Sequence, residues 1–190
     1  MDAAEAALRA TRAWVEQAVI GLNLCPFAKA VQVKGLVRWV CSQARDTATL
    51  LAALRAELLR LHDTPIEAIE TTLLVHPWVL TDFMNYNDFL DEADALLREL
   101  DLEGTLQIAG FHPHYRFAGT DADDIANATN RSPHPTLHLL REASIERAVA
   151  AFPEPEAIYE ANMRTLRDLG PSGWAALQAR CLRDAHRGGG

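Results

Sequence analysis

The chain has 190 residues, 49% of them hydrophobic and 23% charged, with a formal net charge of −8. That is the size and balance of one globular domain, and it excludes a disordered tail, a collagen-like repeat and a small disulfide scaffold. An acidic chain without a basic run repels phosphate backbones, so no nucleic acid is expected as partner. No apolar run approaches the ~20 residues that span a bilayer, so no membrane is expected either.

The charge is uneven. Residues 61–110 carry one basic group, Arg98, against eleven acids, whereas 1–60 carry eight basic groups against five acids. Lysine occurs only at 29 and 34, so a local arginine cluster is the available means of binding a small anion. Three cysteines, Cys25, Cys41 and Cys181, without paired spacing fit a reducing compartment. With no signal-peptide pattern at the start, a cytoplasmic location is expected.

The first element is a helix, with Ala4, Leu8, Thr11, Val15, Ala18, Val19 and Leu22 at helical spacing and an end near Gly21 and Pro26. Residues 36–41 read as a strand with Val37, Trp39 and Cys41 on one face. A helix over about 46–62 follows, capped by Asp46, with Leu51, Leu54, Leu58 and Leu61 as its stripe. Residues 70–76 are β-branched and apolar and read as the second strand. A helix over about 85–100 buries Phe89, Ala93, Leu96, Leu97 and Leu100, and the third strand is 105–111. Residues 112–135 show no period and read as a long loop of the kind that carries function. Helices at about 136–151, 155–169 and 172–184, separated by Pro153, Pro155 and Pro171, close the chain, and Arg187–Gly190 looks like a frayed end.

The order predicts an α/β (or α+β) fold: a small, three- to four-stranded, largely parallel sheet with crossover helices and a C-terminal helical segment. No linker or composition shift divides it. One domain over 1–190 is expected: an N-terminal helix and Cys-Pro loop (1–35), the strand–helix core (36–111), the loop (112–135) and C-terminal helices (136–184).

Parallel strands share one carboxyl edge, where open α/β sheets place their sites. The second and third strands each end in His-Pro, at His76-Pro77 and His112-Pro113, with His114 two residues on. Proline stops strand pairing and keeps the preceding residue extended, so the edge is expected to gather His76, His112 and His114, with Cys41 nearby. Converging imidazoles suit acid–base chemistry or a transition metal, zinc being the metal that fits such N/S ligands. A histidine there can equally cap a carbonyl.

In the loop, Arg116 and Arg131, with Arg141 beyond it, are candidate forks for a carboxylate or phosphate, joined by Asn130. Asp121, Asp123 and Asp124 lack the spacing of a calcium loop and read as caps for a short helix near Ile125. His138 and Arg141, three apart on the expected helix, would share a face. Cys25 precedes Pro26. As an N-cap it would be an activated thiol and a candidate nucleophile; free cysteine also commonly fills space. Glycine-rich nucleotide loops, the nucleophile elbow and the zinc-protease motif are all missing from the sequence.

Three stretches, IGLNLCPFA at 20–28, FHPHYRF at 111–117 and NRSPHPTLHLLRE at 130–142, resemble the domain-of-unknown-function 1415 family. The resemblance runs from the first helix to about residue 170 and implies a cytoplasmic bacterial protein. It implies no reaction or cofactor.

Three functions are compatible with these residues. One is a hydrolase or transferase acting on a small anionic molecule, with His112 or His114 as acid–base group, Cys25 as nucleophile, and Arg116, Arg131, Asn130, His138 and Arg141 holding the substrate. A second is a transition-metal (zinc) binding protein with ligands drawn from His76, His112, His114 and Cys25 or Cys41. A third is an interaction module presenting Trp78, Phe83, Tyr86 and Phe89. Nothing in the sequence sets the oligomeric state.

Overall fold

The computed structural model describes residues 2–151 and 154–187. Of the expected frayed end at Arg187–Gly190, residues 188–190 lie outside those residues, as does the Pro153 break, and Arg187 is the last residue of a helix. Helix α1 (Ala3–Trp14), N-capped by Asp2, runs on into a π-helical turn at Val15–Ile20. A short helix α2 (Ala28–Val33) precedes β1 (Val37–Cys41). Then come α3 (Thr47–Asp63), β2 (Thr71–Val75), α4 (Phe83–Glu99) and β3 (Leu106–Phe111). A 3-10 turn at Ile125–Asn130 interrupts the following loop. The chain ends with β4 (Thr136–Arg141), α5 (Glu142–Ala151) and α6 (Pro155–Arg187), the last kinked where Gly170 takes φ 67° before Pro171.

The four strands lie in the order β1-β2-β4-β3. β1 and β2 are parallel, as their helical crossover predicts. β4 is antiparallel to both neighbours, β2 and β3. So β1, β2 and β3 point the same way and share a carboxyl edge, but only one of the three strand pairs is parallel. This corrects the largely parallel sheet read from the sequence.

The cause is residues 136–141, which form a strand where a helix was expected. β4 sits inside the sheet and packs on both faces. Thr136, Leu137 and Leu139 are buried and Leu140 is half-buried, so the alternation that marks a half-exposed strand is missing. The apolar run continues into α5 without a break, which lengthens the apparent helix.

Register assigns the faces. Val40, Leu74, Leu137, Leu139 and Ile108 point to one side and pack with Leu50, Leu54 and Leu58 of α3 and Phe89, Ala93 and Leu96 of α4. Val37, Trp39, Leu73 and Phe111 point to the other and pack with Trp14, Met163, Leu166, Trp174 and Cys181 of α1 and α6. Each fully buried Leu contributes roughly 2 kcal/mol by leaving water. Asp46 accepts from Thr49 N at 2.8 Å and Asp82 from Asn85 N at 3.0 Å, capping α3 and α4 at the carboxyl edge. Arg38, on the α3 side of the edge strand, forks onto Glu57 at 2.6 and 2.9 Å. Among the described residues no helix is long and apolar enough to cross a membrane.

Candidate functional site

β2 and β3 deliver His76 and His112 to the same rim, and both imidazoles pack against one ring, that of Tyr86. His76 stacks on Tyr86 with centroids 5.8 Å apart, and the His112 ring lies 5.1 Å from the same Tyr86 ring, tilted against it by 40°. Tyr86 comes from the first turn of α4, is fully buried, and donates from its hydroxyl to Thr136 O at 2.9 Å. Burial raises its pKa, so it stays a donor. Phe83 packs on His112 at 5.5 Å and on Tyr115 at 5.3 Å, and the His114 ring lies 5.9 Å from that of His112.

Hydrogen bonds fix each tautomer. His112 Nδ1 faces the backbone N–H of His114 at 3.0 Å and must accept; its Nε2 therefore carries the proton and donates to Leu80 O at 3.2 Å. His76 Nδ1 faces Val79 O at 3.1 Å and must donate, which leaves Nε2 as a bare acceptor, buried and without a partner. Burial holds His76 neutral, with its pKa pulled down to about 4, and lowers that of His112 in the same way. The two histidines thus hold consecutive carbonyls, Val79 and Leu80, of the loop that follows β2. In that loop Leu80 adopts φ 57°, a left-handed conformation costly for a side chain of its size.

This loop forms one wall of a cleft of about 480 Å³ between the first turns of α3 and α4. Arg45, Asp46 and Thr47 line it from the end of β1, Val79–Asp82 from the end of β2, and Asn85, Asp88 and Glu92 from α4. Arg45 rests over the Trp78 ring at 4.7 Å. Asp46 and Asp82 are committed to their helix caps.

The other residues singled out in the sequence have structural partners or stand apart. Arg131 donates to Tyr115 O at 3.2 Å and Ala122 O at 2.6 Å, tying the long loop together. Asn130 donates to Gly110 O at 3.0 Å and accepts from His112 N at 3.1 Å, continuing the edge of β3. Arg141 gathers Leu61 O, Thr64 O and Ile69 O at 2.6 to 3.0 Å and closes the end of α3. His138 lies on the opposite face of β4 from Arg141, because three residues along a strand reverse the side; the face shared on a helix is corrected accordingly. Thr71 Oγ1 donates to Leu139 O, so it accepts from His138 Nε2 at 2.7 Å. Arg116 and His114 are exposed.

Cys25 is half-buried in the turn before α2. That helix begins at Ala28 with Phe27 at its cap position, so Cys25 is not an N-cap; its carbonyl accepts from Ala28 N. Cys41 ends β1, and burial pushes its thiol up to about 11. Asp124 does cap the 3-10 turn, accepting from Ala126 N at 2.9 Å. Among the described residues no three His, Cys, Asp or Glu side chains are placed to hold a metal ion. His112 has no lone pair to offer, so His76, His112 and His114 do not form a ligand set in this arrangement. Tyr86 and Phe89, proposed for an interaction face, are core residues.

Four residues that the sequence reading did not single out for the site organise it. Tyr86 packs against both imidazoles, Leu80 carries the strained turn, and Gly110 admits the Tyr86 hydroxyl. Asn127, buried, accepts from Phe117 N and Thr120 Oγ1 and donates to Asp121 O, pinning the loop from within. Gly110 alone had a readable signal: a glycine inside a strand marks close approach by another group.

A search of curated proteins and one of solved structures each found no match to the chain. A family model, described as a protein of unknown function (DUF1415), matches residues 6–176, which take in α1, the whole sheet and both histidine-ended strands. The chain therefore belongs to the DUF1415 family.

Proposed function

We propose that this protein is an enzyme of the hydrolase or transferase kind, and that it holds a small polar substrate in the cleft at the carboxyl rim between α3 and α4. The observation that carries this reading is the wall of that cleft. The Val79–Asp82 segment presents itself there in a strained conformation that two buried imidazoles hold in place. Strain maintained by dedicated partners is characteristic of sites that need a fixed geometry, and the position is where strand-borne sites gather.

The groups facing the cleft define the substrate. Arg45, steadied on Trp78, suits an acidic group, as in the anionic substrate read from the sequence. Asp88 and Glu92, one turn apart on α4, accept from a hydroxyl or ammonium at the other end. His76 and His112 position the wall in this reading. Arg131 and Arg141, bonded to carbonyls, hold the scaffold.

The test is a thermal-shift panel of small hydroxy acids, amino acids and phosphorylated small molecules, repeated with Arg45→Gln. One class is expected to raise the melting temperature of the wild type and to bind Arg45→Gln at least tenfold more weakly. A panel without any stabiliser, or a stabiliser that binds both proteins equally, would sink the proposal.

A further inference from the structure

We propose that two copies of this chain form a symmetric dimer by pairing β1 with β1 antiparallel, which joins two four-stranded sheets into one. The inference stands on the free edge of the sheet and does not need the cleft to hold a substrate.

β1 and β3 are the edge strands. Backbone bonding shows which way each residue of β1 turns. Leu36 O accepts from Glu70 N at 2.9 Å and Ser42 N donates to Val75 O at 2.8 Å, so Leu36, Arg38, Val40 and Ser42 face β2. Val37, Trp39 and Cys41 therefore turn their N–H and C=O groups outward. Among the described residues none of those groups has a hydrogen-bond partner.

The other edge is closed. On β3, Leu106 N donates to Leu102 O at 2.9 Å, Gly110 O accepts from Asn130 Nδ2 at 3.0 Å, and His112 N donates to Asn130 O at 3.1 Å. Edge strands are normally guarded by such covers, by proline or by an outstanding charge. β1 contains no proline, and its one charged residue, Arg38, is folded back onto Glu57 at 2.6 and 2.9 Å. What remains at this edge is a half-buried, β-forming strand with open backbone groups.

The strand is complementary to itself. With a twofold axis at Trp39, Val37 stands opposite Cys41 of the second copy and Trp39 opposite its own equivalent. That register joins each outward N–H to a C=O of the other strand, and a slip of two residues leaves one residue of each strand facing backbone outside β1. The side chains of Val37, Trp39 and Cys41 share the α1 face, so apolar groups meet across the axis, with Arg12 over each Trp39 ring at 5.2 Å. The charges match as well. Lys34 is exposed just before the strand, and the Asp2 carboxylate lies close enough to Cys41, at the far end, to act on its thiol. The twofold carries Lys34 of each copy toward Asp2 of the other. A peptide strand of arbitrary sequence would meet the backbone groups but not this end-to-end charge pairing.

The experiment is sedimentation velocity on the full chain from about 5 to 200 μM, with amide exchange followed by NMR at both ends of that range. The mass should rise with concentration toward twice the 21.0 kDa of the chain. The amides of Val37, Trp39 and Cys41 should gain protection in parallel, while Arg38 and Val40 stay protected throughout and Ile108 on β3 is unchanged. Val37→Pro deletes an outward N–H without touching the β1–β2 ladder and should weaken the dimer at least tenfold. A monomer at every concentration would overturn the proposal. So would a dimer in which the Val37, Trp39 and Cys41 amides exchange as in the monomer, or a folded Val37→Pro that dimerises as the wild type does. Should Val37→Pro not fold, the mass and the wild-type exchange decide by themselves.

Discussion

Gly110→Ala gives a direct measure of how tightly the rim is built. A β-carbon at Gly110 would lie 2.7 Å from Tyr86 Oη, and 3.3 Å from both Tyr86 Cε1 and Leu90 Cδ1. The backbone conformation at 110 is ordinary for a strand, so the cost is steric. The hydroxyl cannot retreat freely, because it donates to Thr136 O at 2.9 Å inside a buried cluster. Displacing it costs about 1–3 kcal/mol for the buried bond and about 1–3 kcal/mol for overpacking, or roughly 2–6 kcal/mol together. Tyr86→Phe removes the obstructing oxygen and by itself costs about 1 kcal/mol. In that background Gly110→Ala meets only carbon contacts at 3.3 Å and should cost about 1 kcal/mol. Urea unfolding of the wild type, both single variants and the double variant closes a cycle with an expected coupling of about 1–5 kcal/mol. Equal costs for Gly110→Ala in the two backgrounds, within about 0.5 kcal/mol, would refute the reasoning.

Other consequences are separately measurable. Burial holds His138 near pKa 4, below the ordinary 6.5, so the native state resists a proton that the unfolded chain accepts. Its contribution is complete above pH 6.5 and is lost as the pH falls towards 4, about 2 kcal/mol by pH 5; the gap between urea midpoints at pH 7.5 and 5 should narrow in His138→Gln, with buried His76 supplying the remainder, and an unchanged gap would count against burial as the cause. Arg141→Met leaves the carbonyls of Leu61, Thr64 and Ile69 without their shared donor and should cost about 2–4 kcal/mol, visible as a lower thermal midpoint. Asn127→Ala removes three bonds inside the 117–127 loop and should increase its proteolysis while moving the global midpoint much less. Cys41, pushed up to about 11, should react with iodoacetamide at pH 8 far more slowly than glutathione does, and equal rates would contradict its burial.

The elements of the middle of the chain were legible because each is a local pattern. Asp46 before the stripe read as Leu51, Leu54, Leu58 and Leu61 specifies the start of α3 and three of its buried leucines, with Leu50 rather than Leu51 as the fourth. The spacing of Phe89, Ala93, Leu96 and Leu97 does the same for α4, and the helical crossover makes β1 and β2 parallel. Two strands ending in His-Pro placed both histidines on one rim, since proline ends pairing in any context. Whether residues 136–141 were strand or helix was not local: a strand buried on both faces has no alternation, and only the gap between β2 and β3 selects it. The roles of the polar side chains depended on that same assembly. Arg131, Arg141 and Asn130 look in sequence like groups free to hold a ligand, and it is the folded chain that supplies the carbonyls they bind. A histidine's chemistry is set by what stands opposite each ring nitrogen, and for His76 and His112 those partners, Val79, Leu80 and His114, are positioned by Tyr86 and a left-handed Leu80. Sequence determined which groups reach the rim; the tertiary structure decided which of them remain free to act.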